Sequence, residues 1–208
     1  MRRLLTVGVA VLSGLLGLVV IVLAVNVLVV SRDVKADDFR FQNAPQRHRD
    51  LWSNLGILPE SFAVKGLGIE EDLAYRRSAA LFARAQPGRR AAGSPQIQAL
   101  RGQAALELTR ASHADSDPRR RSQLLNFLGV VPLDTGVTAF EQRASMLQTA
   151  IGVFQTAVRT DPANADAKVN LEIVLRDLNI TGLPPNAPSG EAAGGRRSSP
   201  GGVSGAGY

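Results

Sequence analysis

Cysteine is absent from the 208 residues, which removes disulfides, thiolate metal sites and thiol nucleophiles together. Histidine occurs twice, at His48 and His113, and neither has a spacing that binds metal or serves a nucleophile. His48 lies near Asp50, but one imidazole and one carboxylate do not make a metal site. Ser112, His113 and Asp115 combine suggestive residue types, yet they are near-consecutive at a helix end, and a triad is assembled by spatial geometry. Gly66-x-Gly68 lacks a third glycine and a preceding strand, so it is a loop and not a dinucleotide cradle. Strand-forming runs are missing too, since Val130-Val131 is too short to count. These absences exclude the common routes to chemistry: the expectation is a non-enzymatic protein with no metal, no cofactor and no small-molecule substrate.

Lysine is nearly missing, with Lys35, Lys65 and Lys168 the only three among 24 Lys+Arg. This arginine bias, with abundant Ala and Gly, is a compositional mark of GC-rich bacterial genomes. The net charge of +6 comes from 24 Lys+Arg and 18 Asp+Glu. Five of the bases (Arg2, Arg3, Arg32, Arg196, Arg197) and one acid (Glu191) lie outside 33–183, leaving 19 against 17 inside, a net of +2. The interior of the chain is therefore close to neutral. A nucleic-acid surface needs clustered bases and aromatic partners, and Arg119-Arg120-Arg121 is the only tight run, so no nucleic-acid partner is expected.

What the chain does have is a long uncharged segment. Leu4–Val30 contains no ionisable residue, and its clearly polar members are Thr6, Ser13 and Asn26. As a helix these residues span about 40 Å, against a hydrocarbon core of about 30 Å. A cleaved signal has an apolar region of roughly 7–15 residues ending in a small-x-small site; Leu28-Val29-Val30-Ser31 offers none. The segment is expected to be an uncleaved signal anchor, a single transmembrane helix in the lipid bilayer. Arg2 and Arg3 before the span favour a cytoplasmic N-terminus, while Arg32, Lys35, Arg40, Arg47 and Arg49 after it pull the other way. A long following domain translocates regardless of its charge, so the soluble part is expected outside the cytoplasm. Ala10, Ser13, Gly14 and Gly17 share one face, a stripe on which another membrane helix could pack.

Residues 32–68 form a juxtamembrane segment whose Phe39, Phe41, Trp52 and Phe62 should pack on the helices, with a short helix over Gln46–Leu55. Helical signals follow in series through 69–182. Glu70-Glu71-Asp72 suits the positive end of a helix running to Ala85, with Pro87-Gly88 as its stop. Ser94-Pro95 and Asp117-Pro118 are each a cap followed by proline at the first helical position, opening helices to about Ser112 and Leu128, the latter stopped by Gly129. Thr138-x-x-Glu141 reads as a capping box for a long helix to about Thr160, striped by Phe140, Ala144, Leu147, Ile151, Phe154 and Val158. Asn164 caps a last helix to about Asp177. Residues 183–208 are Pro-, Gly- and Ser-rich and too poor in apolar residues to offset ordering entropy, so disorder is expected there. The fold class is all-α: one transmembrane helix (1–31), then an antiparallel helical domain.

Ala150, Phe154 and Ala157 fall at the small, large, small spacing of the second helix of a tetratricopeptide repeat, and Pro162 follows five residues later. Ala165–Leu171 then resembles the first helix of a next unit, with Leu171 and Leu175 as packing residues. The resemblance covers about 26 residues, fewer than the three repeats such arrays need. Trp52-x-x-Leu55-Gly56 imitates a repeat start, but Pro59 falls where the helix should continue. Over more of the chain, Asp38-Phe39-Arg40-Phe41, Glu71–Arg77, Leu125–Gly129 and Asp161-Pro162 through Arg176 resemble small bacterial membrane-anchored repeat proteins that accompany MoxR-type ATPases and von Willebrand factor A-domain membrane proteins. The resemblance implies an accessory or scaffold role in an envelope assembly, with other membrane or envelope proteins as partners. In a repeat array the groove is lined by first-helix positions; here these are Asp166, Asn170, Ile173 and Arg176. Asn170 and Arg176 carry donors suited to a peptide backbone or carboxylate. The rival expectation is a structural envelope protein that self-associates through its membrane helix.

Overall fold

The computed structural model describes residues 2–86 (46, 49 and 54 excepted), 94–134 and 140–180. Among these there are seven α-helices, a 3-10 turn at Val131–Asp134, and no strand. Helix α1 runs from Arg2 to Asn43 without interruption. The uncharged run is only its first part: nothing between Ser31 and Asn43 is proline or glycine, so the helix carries straight past the expected boundary at residue 31 into the polar region. From Leu12 to Val25 its large apolar side chains stand exposed on all sides, with Leu12 at 69%, and Leu28 beyond them is 71% exposed. It is the one helix among the described residues long and apolar enough to cross a membrane, with a mean hydropathy of 2.8 over its apolar window.

The chain then turns, and no helix occupies the described residues of the 46–55 stretch. The short helix lies later, as α2 at Glu60–Leu67, directly after Pro59, whose fixed φ is suited to a helix entrance. Helices α3 (Glu70–Ala85), α4 (Pro95–Ala114), α5 (Pro118–Val130), α6 (Phe140–Thr160) and α7 (Ala165–Ile180) follow. The cap residues read from the sequence hold their helix starts: the Ile97 amide donates to Ser94 Oγ at 3.3 Å, the Arg119 amide to Asp117 Oδ1 at 2.8 Å, and the Ala167 amide to Asn164 Oδ1 at 3.0 Å. Thr138, Pro87-Gly88 and the tail from 181 onward lie outside the described residues.

Each helix from α3 to α6 packs on its successor, and α5 also touches both α3 and α7. The result is a row of helical hairpins in which every second helix shares one side. The interior at the α5–α6–α7 end is built from Leu147, Ala150, Ile151, Phe154, Val174 and Leu178, all buried. Gly129 does not stop α5, which continues to Val130. A β-carbon at Gly129 would lie 2.6 Å from Phe154 Cε1, so the glycine admits the Phe154 ring against the α5 backbone. Ser122, fully buried, ties three elements: its hydroxyl donates to the Ala157 carbonyl and accepts from Asn164 Nδ2, both at 2.8 Å.

The α4–α5 turn is clamped to the start of α3. Arg120 holds the buried Asp115 through two hydrogen bonds of 2.9 Å and reaches Glu71 at 3.4 Å. The Ser116 hydroxyl and amide both donate to Glu71 Oε2, at 2.6 and 3.0 Å. Those bonds hold the Glu71 carboxyl below its ordinary range, and the Asp115 hydrogen bonds raise Arg120 above its own. Asp115 thus has a structural employment, while His113 points to solvent.

Candidate functional site

Two surfaces deserve comparison: the clasp between α1 and the 50–58 segment, and the side shared by α3, α5 and α7. The clasp begins with polar residues set along one face of α1 at helical spacing. Asn26, Asp33 and Asp37 lie seven and four residues apart, with Val30 between them and Asp38 beside. Trp52 to Leu58 descends this face antiparallel to the helix, and its backbone amides are accepted in turn. The Trp52 amide donates to Asp37 Oδ2 at 2.7 Å, the Gly56 amide to Asp33 Oδ2 at 3.2 Å, and the Ile57 and Leu58 amides to Asn26 Oδ1 at 2.9 and 3.1 Å. Side chains on the helix thereby replace the partner strand that an extended segment would otherwise need.

Trp52 is the centre of the clasp. It is 1% exposed and adopts φ +55°, a left-handed conformation that costs a non-glycine residue about 1–2 kcal/mol. Every polar group it carries is occupied. Its indole Nε1 donates to Asp38 at 3.0 Å, and Arg77 Nε donates to its carbonyl at 3.1 Å. Its ring meets Phe41 edge-on at 5.5 Å. Arg76 ties α3 to the same place through Asp38 and Asp72. Burial opposes its charge, but the hydrogen bonds it donates to both carboxylates outweigh that and raise it overall. Gly56, at φ +82°, passes so close that a β-carbon would lie 2.7 Å from both Asn26 Oδ1 and Val30 Cγ2. The Trp52–Gly56 stretch is therefore a non-helical brace joining α1 to α3.

On the other surface, a cavity of about 650 Å³ opens between the end of α1, α3 and α5. Its walls include Phe41, Tyr75, Phe82 and Phe127, with Asp38 and Arg76 at one side. Phe82 and Phe127 stack at 4.7 Å, and the Tyr75 hydroxyl donates to Gln123 of α5 at 2.6 Å. Burial raises the Tyr75 hydroxyl pKa. Along the row, α7 presents Val169 at 54% and Ile173 at 55% exposure.

The residues singled out in the sequence fall as follows. Ala150, Phe154 and Ala157 are completely buried, Leu171 and Leu175 border the same cluster, and Pro162 stands in the exposed α6–α7 turn. Asp166 and Ile173 are exposed on α7. Arg176 pairs with Glu172 at 3.1 Å on the surface. Asn170 is half-buried and donates to the buried Asn126 of α5 at 2.9 Å, so its amide group is engaged within the fold. Ser13, Gly14 and Gly17 are exposed, and β-carbons added at the two glycines would meet nothing within 4 Å; the side chain of Ala10 lies outside the description. Sequence reasoning missed the Asn26, Asp33, Asp37, Asp38 face. Its signal was present: Asn26 is the one amide side chain in the uncharged run, in register with the two aspartates beyond it. Among the described residues no three His, Asp or Glu side chains gather as a metal site. Comparison with protein-family models, with curated proteins and with solved structures gives no match for this chain.

Proposed function

We propose that this chain is a single-pass membrane protein that displays a tetratricopeptide-like helical array outside the cytoplasm as a docking module for other envelope proteins. On the resemblance noted above, the proposal extends to an accessory role beside a MoxR-type ATPase and a von Willebrand factor A-domain membrane protein. The observation that carries the reading is the pairing of two surfaces on one chain. An apolar helix whose residues are all exposed from Leu12 to Val25 calls for lipid. The brace at Trp52 couples that helix to a row that carries an aromatic cavity between α1, α3 and α5 and, on α7, the exposed Val169 and Ile173. The packing of α5, α6 and α7 supports the repeat-like part, because small residues (Gly129, Ala150, Ala157) lie around one large apolar knob, Phe154.

A photo-crosslinking residue at Ile173 of the full-length protein in its native membrane tests this. The expected outcome is a discrete adduct with another envelope protein, lost when Arg176 is reversed in charge. The same group at Leu106, exposed on α4 at 50%, should give none. If Ile173 yields no more adduct than Leu106 while the helical spectrum is intact, the docking reading is wrong. Protease protection of the soluble part in sealed cells, lost on opening the outer face, checks its side of the membrane.

A further inference from the structure

Asn26 is a polar residue inside the uncharged run, yet it is buried, only 3% exposed. It accepts hydrogen bonds from two consecutive amides, those of Ile57 and Leu58, which have returned along α1 to its level. Asn26 lies four residues, or about 6 Å, before the end of the run at Val30. If the roughly 40 Å run is centred on a core of about 30 Å, Asn26 stands at the edge of the hydrocarbon. The Ile57 side chain, 68% exposed, projects from that level, and Leu28 of α1 is 71% exposed nearby in height.

At such a depth, irregular backbone survives only when protein groups satisfy it, since water is scarce and each orphaned amide is costly. One asparagine oxygen meeting two amides fits that requirement. We propose that the Gly56–Leu58 segment is a lipid-contacting wedge, with the bilayer at the headgroup–acyl boundary as its partner and Asn26 as the acceptor that keeps it there. The proposal rests on α1 being a membrane span. Beyond the run the Trp52 and Gly56 amides take charged acceptors, Asp37 and Asp33, whereas at the height of the apolar run the acceptor is the neutral Asn26 and the residue left exposed is Ile57. The wedge sets how deep the array sits, since the segment is tied above to Asp33 and Asp37 as well.

The absence of cysteine makes single-site labelling clean. Full-length Ile57→Cys, Leu18→Cys and Leu106→Cys variants, each carrying an environment-sensitive fluorophore, are reconstituted in vesicles of phosphatidylethanolamine and phosphatidylglycerol. Quenching by shallow spin-labelled lipid and by aqueous iodide is then read. The Ile57→Cys label is expected to be quenched by the shallow lipid, unlike Leu18→Cys at the middle of the span, and to be protected from iodide, like Leu18→Cys and unlike Leu106→Cys. Adding Asn26→Leu should return the label at position 57 to iodide. An iodide-accessible label at 57 with a protected label at 18 overturns the wedge and leaves the span standing. Iodide access at both positions overturns the span itself. A label at 57 that stays protected in the Asn26→Leu background overturns the role given to Asn26.

Discussion

The same substitution, glycine to alanine inside a helix, should have opposite signs at different positions in this protein. At Gly102 of α4 and Gly152 of α6 an added β-carbon meets nothing within 4 Å, so each change should stabilise by up to about 1 kcal/mol through helix propensity alone. At Gly129 the added carbon would sit 2.6, 2.8 and 2.9 Å from three atoms of the Phe154 ring, where carbon contacts ordinarily lie at about 3.5–4.0 Å. The ring must retreat by about 1 Å, and Phe154 is completely buried. Overpacking of this kind costs about 1–3 kcal/mol. Set against the same propensity gain, Gly129→Ala should destabilise by up to about 2 kcal/mol. Urea unfolding of the full-length protein in detergent, followed by far-ultraviolet circular dichroism, separates the three variants. The decisive control is Phe154→Leu: if the clash is the cause, Gly129→Ala should cost at least about 1 kcal/mol less in that background. Equal stabilisation at all three glycines, or no coupling to Phe154, would refute the packing argument.

Other consequences follow from the same geometry. Asp37→Ala leaves the buried Trp52 amide without its acceptor, which should destabilise the brace by about 1–3 kcal/mol and red-shift the fluorescence of the single tryptophan; an unshifted spectrum would contradict its central place. Ser122→Ala strips the Ala157 carbonyl of a buried donor and Asn164 of an acceptor, again about 1–3 kcal/mol, readable as a lowered unfolding midpoint, whereas Ser145→Ala on the exposed face of α6 should be silent. Because the folded protein holds Glu71 below its ordinary value, the stability it contributes is fully present above the unfolded carboxyl range and is lost as pH falls through the folded value. Thermal unfolding between about pH 5 and pH 3 should therefore show a shallower acid loss in Glu71→Gln than in the wild type, and an unchanged slope would discount the Ser116–Glu71 contact.

Local chemistry made much of the fold legible. Ser94, Asp117 and Asn164 each carry a side-chain oxygen that meets an amide of the following helix, so three helix starts could be read without tertiary information. The apolar stripe of α6 likewise declared its buried face. Long-range pairing could not be read this way. The helix in α1 continues to Asn43 because its polar residues are helix-compatible, and its acidic face makes sense only beside a segment 14 to 23 residues away. Trp52 takes a left-handed conformation that nothing local favours; it is held by Asp37, Asp38 and Arg77 together. Gly129 looked like a stop because glycine commonly ends helices, but here close approach of Phe154 decides its identity. On α7, Ile173 could be placed outward from periodicity, while the engagement of Asn170 by Asn126 depended on a neighbour 44 residues earlier in the chain.

The unbroken course of α1 makes the protein a lever whose fulcrum is the membrane edge. Thirteen of its 42 residues lie beyond Val30, an arm of about 20 Å. An apolar run of about 40 Å in a core of about 30 Å relieves its excess length by leaning. In a thicker bilayer the same run stands more upright, and a change of 20° would swing the end of the arm by about 7 Å. With the Trp52 brace tying the arm to α3, the docking side of the array would travel with it, and bilayer thickness would decide which neighbours it faces.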